Sequence, residues 1–210
     1  MKRFQNLIFD IGNVLVDIDY NVTVAEFQKL ATIDFSQIVS YSKQHHLFDW
    51  FETGKISAAD FRRELRQFLR PEVTDDEINR AWNSILLHYP SEKFKLLQQL
   101  KDTYRTFALS NINEIHVQEI DRVAKQLFHV PDFASFFHKA YYSHEVGHRK
   151  PEPEIYQAIL EQENMRPGET FFVDDKEENI EAAGKLGIRA FHLADRDKLQ
   201  ELLSSAGISF

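Results

Sequence analysis

Short, almost wholly apolar runs that stop on small polar or acidic residues punctuate this chain. Leu7-Ile8-Phe9 stops at Asp10, Phe107-Ala108-Leu109 at Ser110-Asn111, and Phe171-Phe172-Val173 at Asp174-Asp175. Such runs read as strands buried on both faces of a parallel sheet, and two more fit 139–142 and 188–192. Between the strands the pattern changes to helical spacing over 91–101, 112–127, 152–163, 176–186 and 195–203, with Gly187 placed to end one of these helices. Alternating strands and helices predict an α/β fold with a parallel sheet covered on both faces. In such sheets ligands bind beyond the carboxyl ends of the strands, so the polar residues that end the runs converge on one crevice.

The first two strands are too far apart for a simple crossover. A βαβ unit takes about 30 residues, whereas residues 10–104 separate the runs that end at Phe9 and begin at Arg105. The surplus is helical in character. Asp34 with Gln37, Ser57 ahead of Asp60, and Thr74 with Glu77 are helix-start signals. Phe61, Leu65, Phe68 and Leu69 recur at helical spacing, as do Ile78, Trp82, Ile85 and Leu86. The expected organisation is a core of 1–17 and 91–210 with an inserted helical cap of 18–90.

Composition narrows the function classes. At 210 residues the chain can bury a sizeable core. Its net charge of -8 opposes polyanion binding, so neither nucleic acid nor an anionic membrane is expected as a partner. It has no cysteine, so any metal must be held by oxygen or imidazole. No membrane-spanning or signal-type apolar run is evident, and a cytoplasmic location is the expectation. Monomer and homodimer both stay open.

The residues at the strand ends point to phosphate chemistry on a metal. Asp10, followed two residues on by Gly12, can act as a nucleophile toward phosphorus. Its attack brings anions together, which calls for a hard cation such as Mg²⁺ on Asp10 and Asp175 and for Lys150 to balance the phosphoryl oxygens. Ser110 offers a hydroxyl to a phosphoryl oxygen, and the backbone N–H groups around Asn111 offer an anion site. Asp174 and Asn179 stand behind Asp175 as orienting partners. Singly, each has a plainer reading: turn aspartates, a helix N-cap, a solvated lysine. The nine histidines show no zinc spacing, though His45, His46 and Trp50 are placed to line the cap side of a pocket.

In order along the chain stand Phe9-Asp10-Ile11-Gly12-Asn13-Val14-Leu15, Leu109-Ser110-Asn111, Gly147-His148-Arg149-Lys150-Pro151 running to Ile155-Tyr156, and Val173-Asp174-Asp175 with Asn179. Together they resemble the four motifs of the haloacid dehalogenase-like superfamily, in its phosphatase branch with a helical cap after the first strand. The resemblance spans essentially the whole chain. It implies a Rossmann-like core, Mg²⁺, a Gly12 backbone carbonyl among the metal ligands, and an aspartyl-phosphate on Asp10. One position departs from the pattern: most phosphatases of the superfamily carry a second aspartate two residues after the nucleophile as general acid/base, and here it is Gly12.

Loss of that group costs about 10²- to 10⁴-fold. The Asp-x-Gly-Asn variant resembles a sugar-phosphatase branch that includes glucose 1-phosphate phosphatases. The expected function is therefore Mg²⁺-dependent hydrolysis of a small phosphorylated metabolite, sugar-like in type, with water, Asp17, Asp19 or a cap residue handling protons. The alternative is a catalytically weak or inactive binder of phosphorylated ligands.

Overall fold

A computed structural model describes residues 4–210. Strands β1 (Asn6–Phe9), β4 (Arg105–Ser110), β5 (Lys139–Tyr142), β6 (Thr170–Asp174) and β7 (Arg189–His192) form one sheet. Its order is β5-β4-β1-β6-β7 and every pairing is parallel. From β1 the sheet is built outward to β4 and β5 on one side, then to β6 and β7 on the other. The switch point between β1 and β6 opens a crevice at the carboxyl ends of both strands.

The period-2 alternation of side chains sorts the strands' residues into two cores. Leu7, Phe9, Ala108, Phe171 and Val173 pack on one face with α6 (Ser91–Lys101), α7 (Glu114–Phe128) and α11 (Leu199–Ser205). Ile8, Phe107, Leu109 and Phe172 pack on the other with α9 (Pro153–Gln162) and α10 (Glu177–Lys185). All nine of these strand residues are buried, which is why the runs carry no polar alternation.

Helices α1 (Tyr20–Leu30), α2 (Phe35–Gln44), α3 (Leu47–Glu52), α4 (Ala58–Arg66) and α5 (Asp75–Asn83) lie between β1 and β4 and pack around their own apolar cluster of Phe27, Ile38, Phe51, Phe61, Leu65 and Ile78. Ser57 and Thr74 each close a full capping box, with Asp60 and Glu77 respectively. Asp34 caps differently from its expected pairing with Gln37, accepting from the backbone N–H of Ser36.

Two readings of this region change. Ile85 and Leu86 do not continue the helical face of Ile78 and Trp82, because α5 ends at Asn83. Instead β3 (Leu86–His88) pairs antiparallel with β2 (Asp17–Ile18), and this ribbon is the stalk of the helical insertion. Sequence alternation over two or three residues is too short a signal to have shown it. The short helix α8 (Ser143–Val146) also had no counterpart in the pattern, and the helix expected from residue 112 starts at Glu114 behind an Asn113 N-cap. Among the described residues no helix is long and apolar enough to cross a membrane.

The insertion is tied to the core through His116 on α7, whose ring stacks on Trp82 at 5.2 Å between centroids. Its Nε2 lies 3.1 Å from the Trp82 carbonyl, which can only accept, so Nε2 carries the proton and Nδ1 faces the Asn113 amide at 3.1 Å. Burial holds this histidine's pKa down to about 4, against the backbone hydrogen bond to Trp82. The unfolded chain therefore takes up the proton first, and stability contributed by neutral His116 is complete above about pH 6.5 and lost as pH falls toward 4. Thermal melts of wild type and His116→Gln should show the acid loss blunted in the variant, by at most about 3 kcal/mol. Parallel pH profiles for the two would contradict this assignment.

Candidate active site

The segment leaving β1 makes a tight turn. Asp10 remains anchored by its N–H to the Val173 carbonyl at 3.0 Å, and Asn13 adopts φ +54°, a left-handed conformation that asparagine tolerates. The turn sends the Asn13 side chain across to β6, where its Nδ2 donates to Asp175 Oδ2 at 3.1 Å while its Oδ1 accepts from the Ile18 N–H at 3.2 Å. The loop after β1 is thus braced directly against the loop after β6.

Lys150 reaches the same crevice from the loop before α9. It is 2% exposed, and its Nζ donates to Asp10 Oδ1 at 2.7 Å and to Asp174 Oδ2 at 2.6 Å. A buried ammonium with two carboxylates is stable only with such geometry. Burial works against its charge, but Asp10 and Asp174 outweigh burial and hold its pKa above the ordinary lysine range. Burial raises Asp10 to about 6, opposed by Lys150 and reinforced by Asp174 and Asp175.

Asn111 holds the lysine's backbone rather than facing the crevice with its amide. Its Nδ2 donates to the Lys150 carbonyl and its Oδ1 accepts from the Lys150 N–H, both at 2.8 Å. Asp174 is saturated as well: Oδ1 accepts from Asn179 Nδ2 and from the Lys176 N–H, each at 2.9 Å, and Oδ2 is held by Lys150.

One carboxylate oxygen from each of Asp10, Asp174 and Asp175 lies within 4.8 Å of the other two. Because Asp174 has both oxygens occupied by protein donors, Asp10 and Asp175 retain the oxygens able to meet a cation. An all-oxygen donor set with few protein ligands suits Mg²⁺, which keeps several waters or substrate oxygens. Asp10, Gly12, Ser110, Asn111, Lys150, Asp175 and Asn179 line a single cavity of about 80 Å³. The seven strand-end and loop candidates Asp10, Gly12, Ser110, Asn111, Lys150, Asp175 and Asn179 therefore line this cavity, and Asp174 hydrogen-bonds directly to Lys150 and Asn179, which do.

The peripheral candidates divide. His46 and Trp50 line an adjoining groove with Asn111 and Lys150, whereas His45 turns away and packs on Tyr41 at 4.2 Å between ring centroids. Asp17 faces Lys93 at 4.0 Å and Arg196 at 3.8 Å. Asp19 caps α1 through the Asn21 N–H and opens onto a different groove. Neither lines the cavity that holds Asp10. Tyr20, Glu52, Arg149 and Lys176 do line it, and sequence reasoning missed them. Arg149 lies inside the third motif and Lys176 directly after Asp175, so both could have been found from the motifs; Tyr20 and Glu52 come from the insertion, where no spacing marks them.

A buried carboxylate, a buried ammonium bound to it and a cluster of carboxylate oxygens at the switch point of a parallel sheet make an arrangement suited to phosphoryl groups. Residues 4–187 match the family of haloacid dehalogenase-like hydrolases, and the chain belongs to that family. It is 32% identical over 192 residues to a D-ribitol-5-phosphate phosphatase of Bacteroides thetaiotaomicron, covering 89% of this chain and 90% of that protein. A sesquiterpene phosphatase of Aspergillus oryzae is 28% identical, with 91% of each covered. Among solved structures, a HAD family enzyme from B. thetaiotaomicron in complex with magnesium and inorganic phosphate is 35% identical with a TM-score of 0.81, over 90% of this chain and 93% of that one. A predicted HAD-like family hydrolase from Porphyromonas gingivalis superposes with a TM-score of 0.88 at 26% identity, over the whole of both chains. The protein is a phosphatase of this family.

Proposed function

We propose that this phosphatase hydrolyses the monoester of a small, polyol- or sugar-like phosphorylated metabolite through an aspartyl-phosphate on Asp10. The observation that carries the reading is the Lys150 ammonium held between Asp10 and Asp174, with Asp175 beside them and a free oxygen left on Asp10. Asp10 attacks phosphorus; Lys150 offsets the phosphoryl charge; Ser110 and the Asn111 N–H bind phosphoryl oxygens; Asn13, Asp174 and Asn179 fix the positions of the others. Asp10, Asp175 and the Gly12 carbonyl would hold Mg²⁺, which neutralises charge on the transferring phosphoryl group.

The insertion acts as a cap that excludes water and selects the leaving group. The polyol phosphate named for one relative supports the substrate class, and the sesquiterpene phosphatase among the relatives makes terpenyl phosphates the competing class to test. Phosphate release from a panel of sugar, polyol and terpenyl phosphates tests this reading, and the fastest substrates should be polyol or sugar phosphates. A preference for terpenyl phosphates would contradict the substrate class. Stripping metal with EDTA should abolish release and Mg²⁺ should restore it; undiminished release after chelation would contradict the metal site.

A further inference from the structure

Two residues after Asp10 the chain carries Gly12, which offers no side chain to act as acid or base. The Ile18 side chain of the stalk strand β2 lies over Gly12, its Cδ1 2.8 Å from where a Cβ would stand, so a side chain there would have to displace that methyl. Yet alkyl monoesters have poor leaving groups, and their departure without a proton forfeits about 10²- to 10⁴-fold. Some other group that reaches the leaving oxygen has to be sought among the cavity's own side chains.

Of the carboxylates lining the cavity, Asp10 and Asp175 are committed to phosphorus and metal. The third is Glu52, the last residue of α3. It also lines the adjoining enclosed chamber of about 90 Å³, whose walls include Ile18, Trp82 and Ile112. Glu52 is therefore the carboxyl shared by the cavity of Asp10 and this second chamber.

Its position is fixed from the core. Ser143 Oγ, fully buried on α8, donates to the Glu52 carbonyl at 2.5 Å, and the same oxygen accepts from the Ile112 N–H at 2.9 Å. Gly54, with φ +67°, lies so close to the His144 carbonyl that a Cβ there would overlap it. The turn after Glu52 thus has to carry glycine to sit against the core. Glu52 Oε2 is shut off from solvent and makes no aligned hydrogen bond, although Arg149 Nη2 stands 2.9 Å away.

We propose that Glu52, a residue of the insertion, is the general acid/base of this phosphatase, a role that rests on the phosphomonoesterase reading above. In the first step an Asp10 oxygen bonds to phosphorus, the bond from phosphorus to the ester oxygen breaks with its electron pair on that oxygen, and the Glu52 carboxyl gives it a proton so that an alcohol leaves. In the second, the Glu52 carboxylate takes a proton from water as the water oxygen bonds to phosphorus and the Asp10 oxygen leaves. Enzyme and proton are restored, and inorganic phosphate is released. Burial lifts the Glu52 carboxyl above the usual range, opposed by Arg149 and Lys176, reinforced by Asp49 and opposed again by Lys150; the Tyr20 phenol is the other titratable neighbour from the insertion.

The test is single-turnover phosphoryl transfer by wild type and Glu52→Gln, on a polyol phosphate and on p-nitrophenyl phosphate, whose leaving group needs no proton. The expected result is a loss of about 10²- to 10⁴-fold on the polyol phosphate with the p-nitrophenyl rate within about threefold of wild type. Equal losses on both substrates, the mark of a merely structural role, would overturn the proposal, as would no loss on either. Should the variant fail to fold, wild type alone decides through a series of aryl and alkyl phosphates. A rate nearly independent of leaving-group basicity supports a proton donor, and a steep dependence overturns it. Absence of phosphate release by wild type from every substrate would overturn the phosphatase reading along with this one.

Discussion

Asp10→Asn is expected to abolish phosphate release while leaving the fold intact, with kcat falling by on the order of 10⁴- to 10⁶-fold, as when a nucleophile is removed from an enzyme whose binding groups remain. The amide keeps the size of the carboxylate and a carbonyl oxygen for Lys150. The ammonium keeps its second partner, Asp174 Oδ2 at 2.6 Å, so no buried charge is left alone. The checking measurements are steady-state phosphate release and a thermal melt on the same preparation. A folded variant with wild-type turnover would remove Asp10 from the chemistry; a variant that unfolds would show that the Lys150 contact at 2.7 Å is structural first.

Lys150→Met has the second large expected effect, and it falls on stability as well as turnover. The methionine keeps much of the buried volume but leaves Asp10 and Asp174 facing each other without the cation. Breaking a buried ion pair by removing one partner costs about 3–5 kcal/mol, read as a drop in the midpoint of denaturant unfolding at neutral pH. Asp10 is already raised to about 6 with the ammonium beside it, so without Lys150 the carboxyl rises further and takes a proton more readily. A group whose pKa is raised in the folded state stabilises it below the unfolded value and loses that contribution as pH rises. The deficit of the variant should therefore shrink as pH falls from 7 toward 5. A deficit independent of pH would show that lost packing, not unpaired charge, is its cause.

How much of this was legible beforehand depends on the length scale of each signal. Strands buried on both faces announce themselves as unbroken apolar runs, so β1, β4 and β6 were placed to within a residue or two, and the residues that end them marked the crevice. Asp10, Ser110, Lys150 and Asp175 meet there because a parallel sheet puts all carboxyl ends on one edge. The ribbon of β2 and β3 escaped because two or three residues hold no period, and its pairing partner lies some 70 positions away, from Asp17 to His88.

Asn111 was visible as a site residue, but its use as a brace on the Lys150 backbone depends on a contact between residues 39 apart. Asn13 stood within the first motif, yet its contact with Asp175 needed the left-handed turn to be seen. Glu52 carried no signal at all. Its place follows from how the insertion docks on Ser143 and Arg149, which no local pattern encodes.

The proposed function turns on a covalent bond between phosphorus and Asp10. It is tested most directly by mixing the wild-type enzyme with Mg²⁺ and its fastest substrate, quenching in acid during turnover, and locating any added phosphoryl mass by peptide mass spectrometry. The prediction is a single acid-stable, hydroxylamine-labile phosphoryl group on the peptide containing Asp10, absent from Asp10→Asn. Rapid phosphate release with no phosphorylated peptide at any quench time, or with the phosphoryl group on another residue, would contradict it.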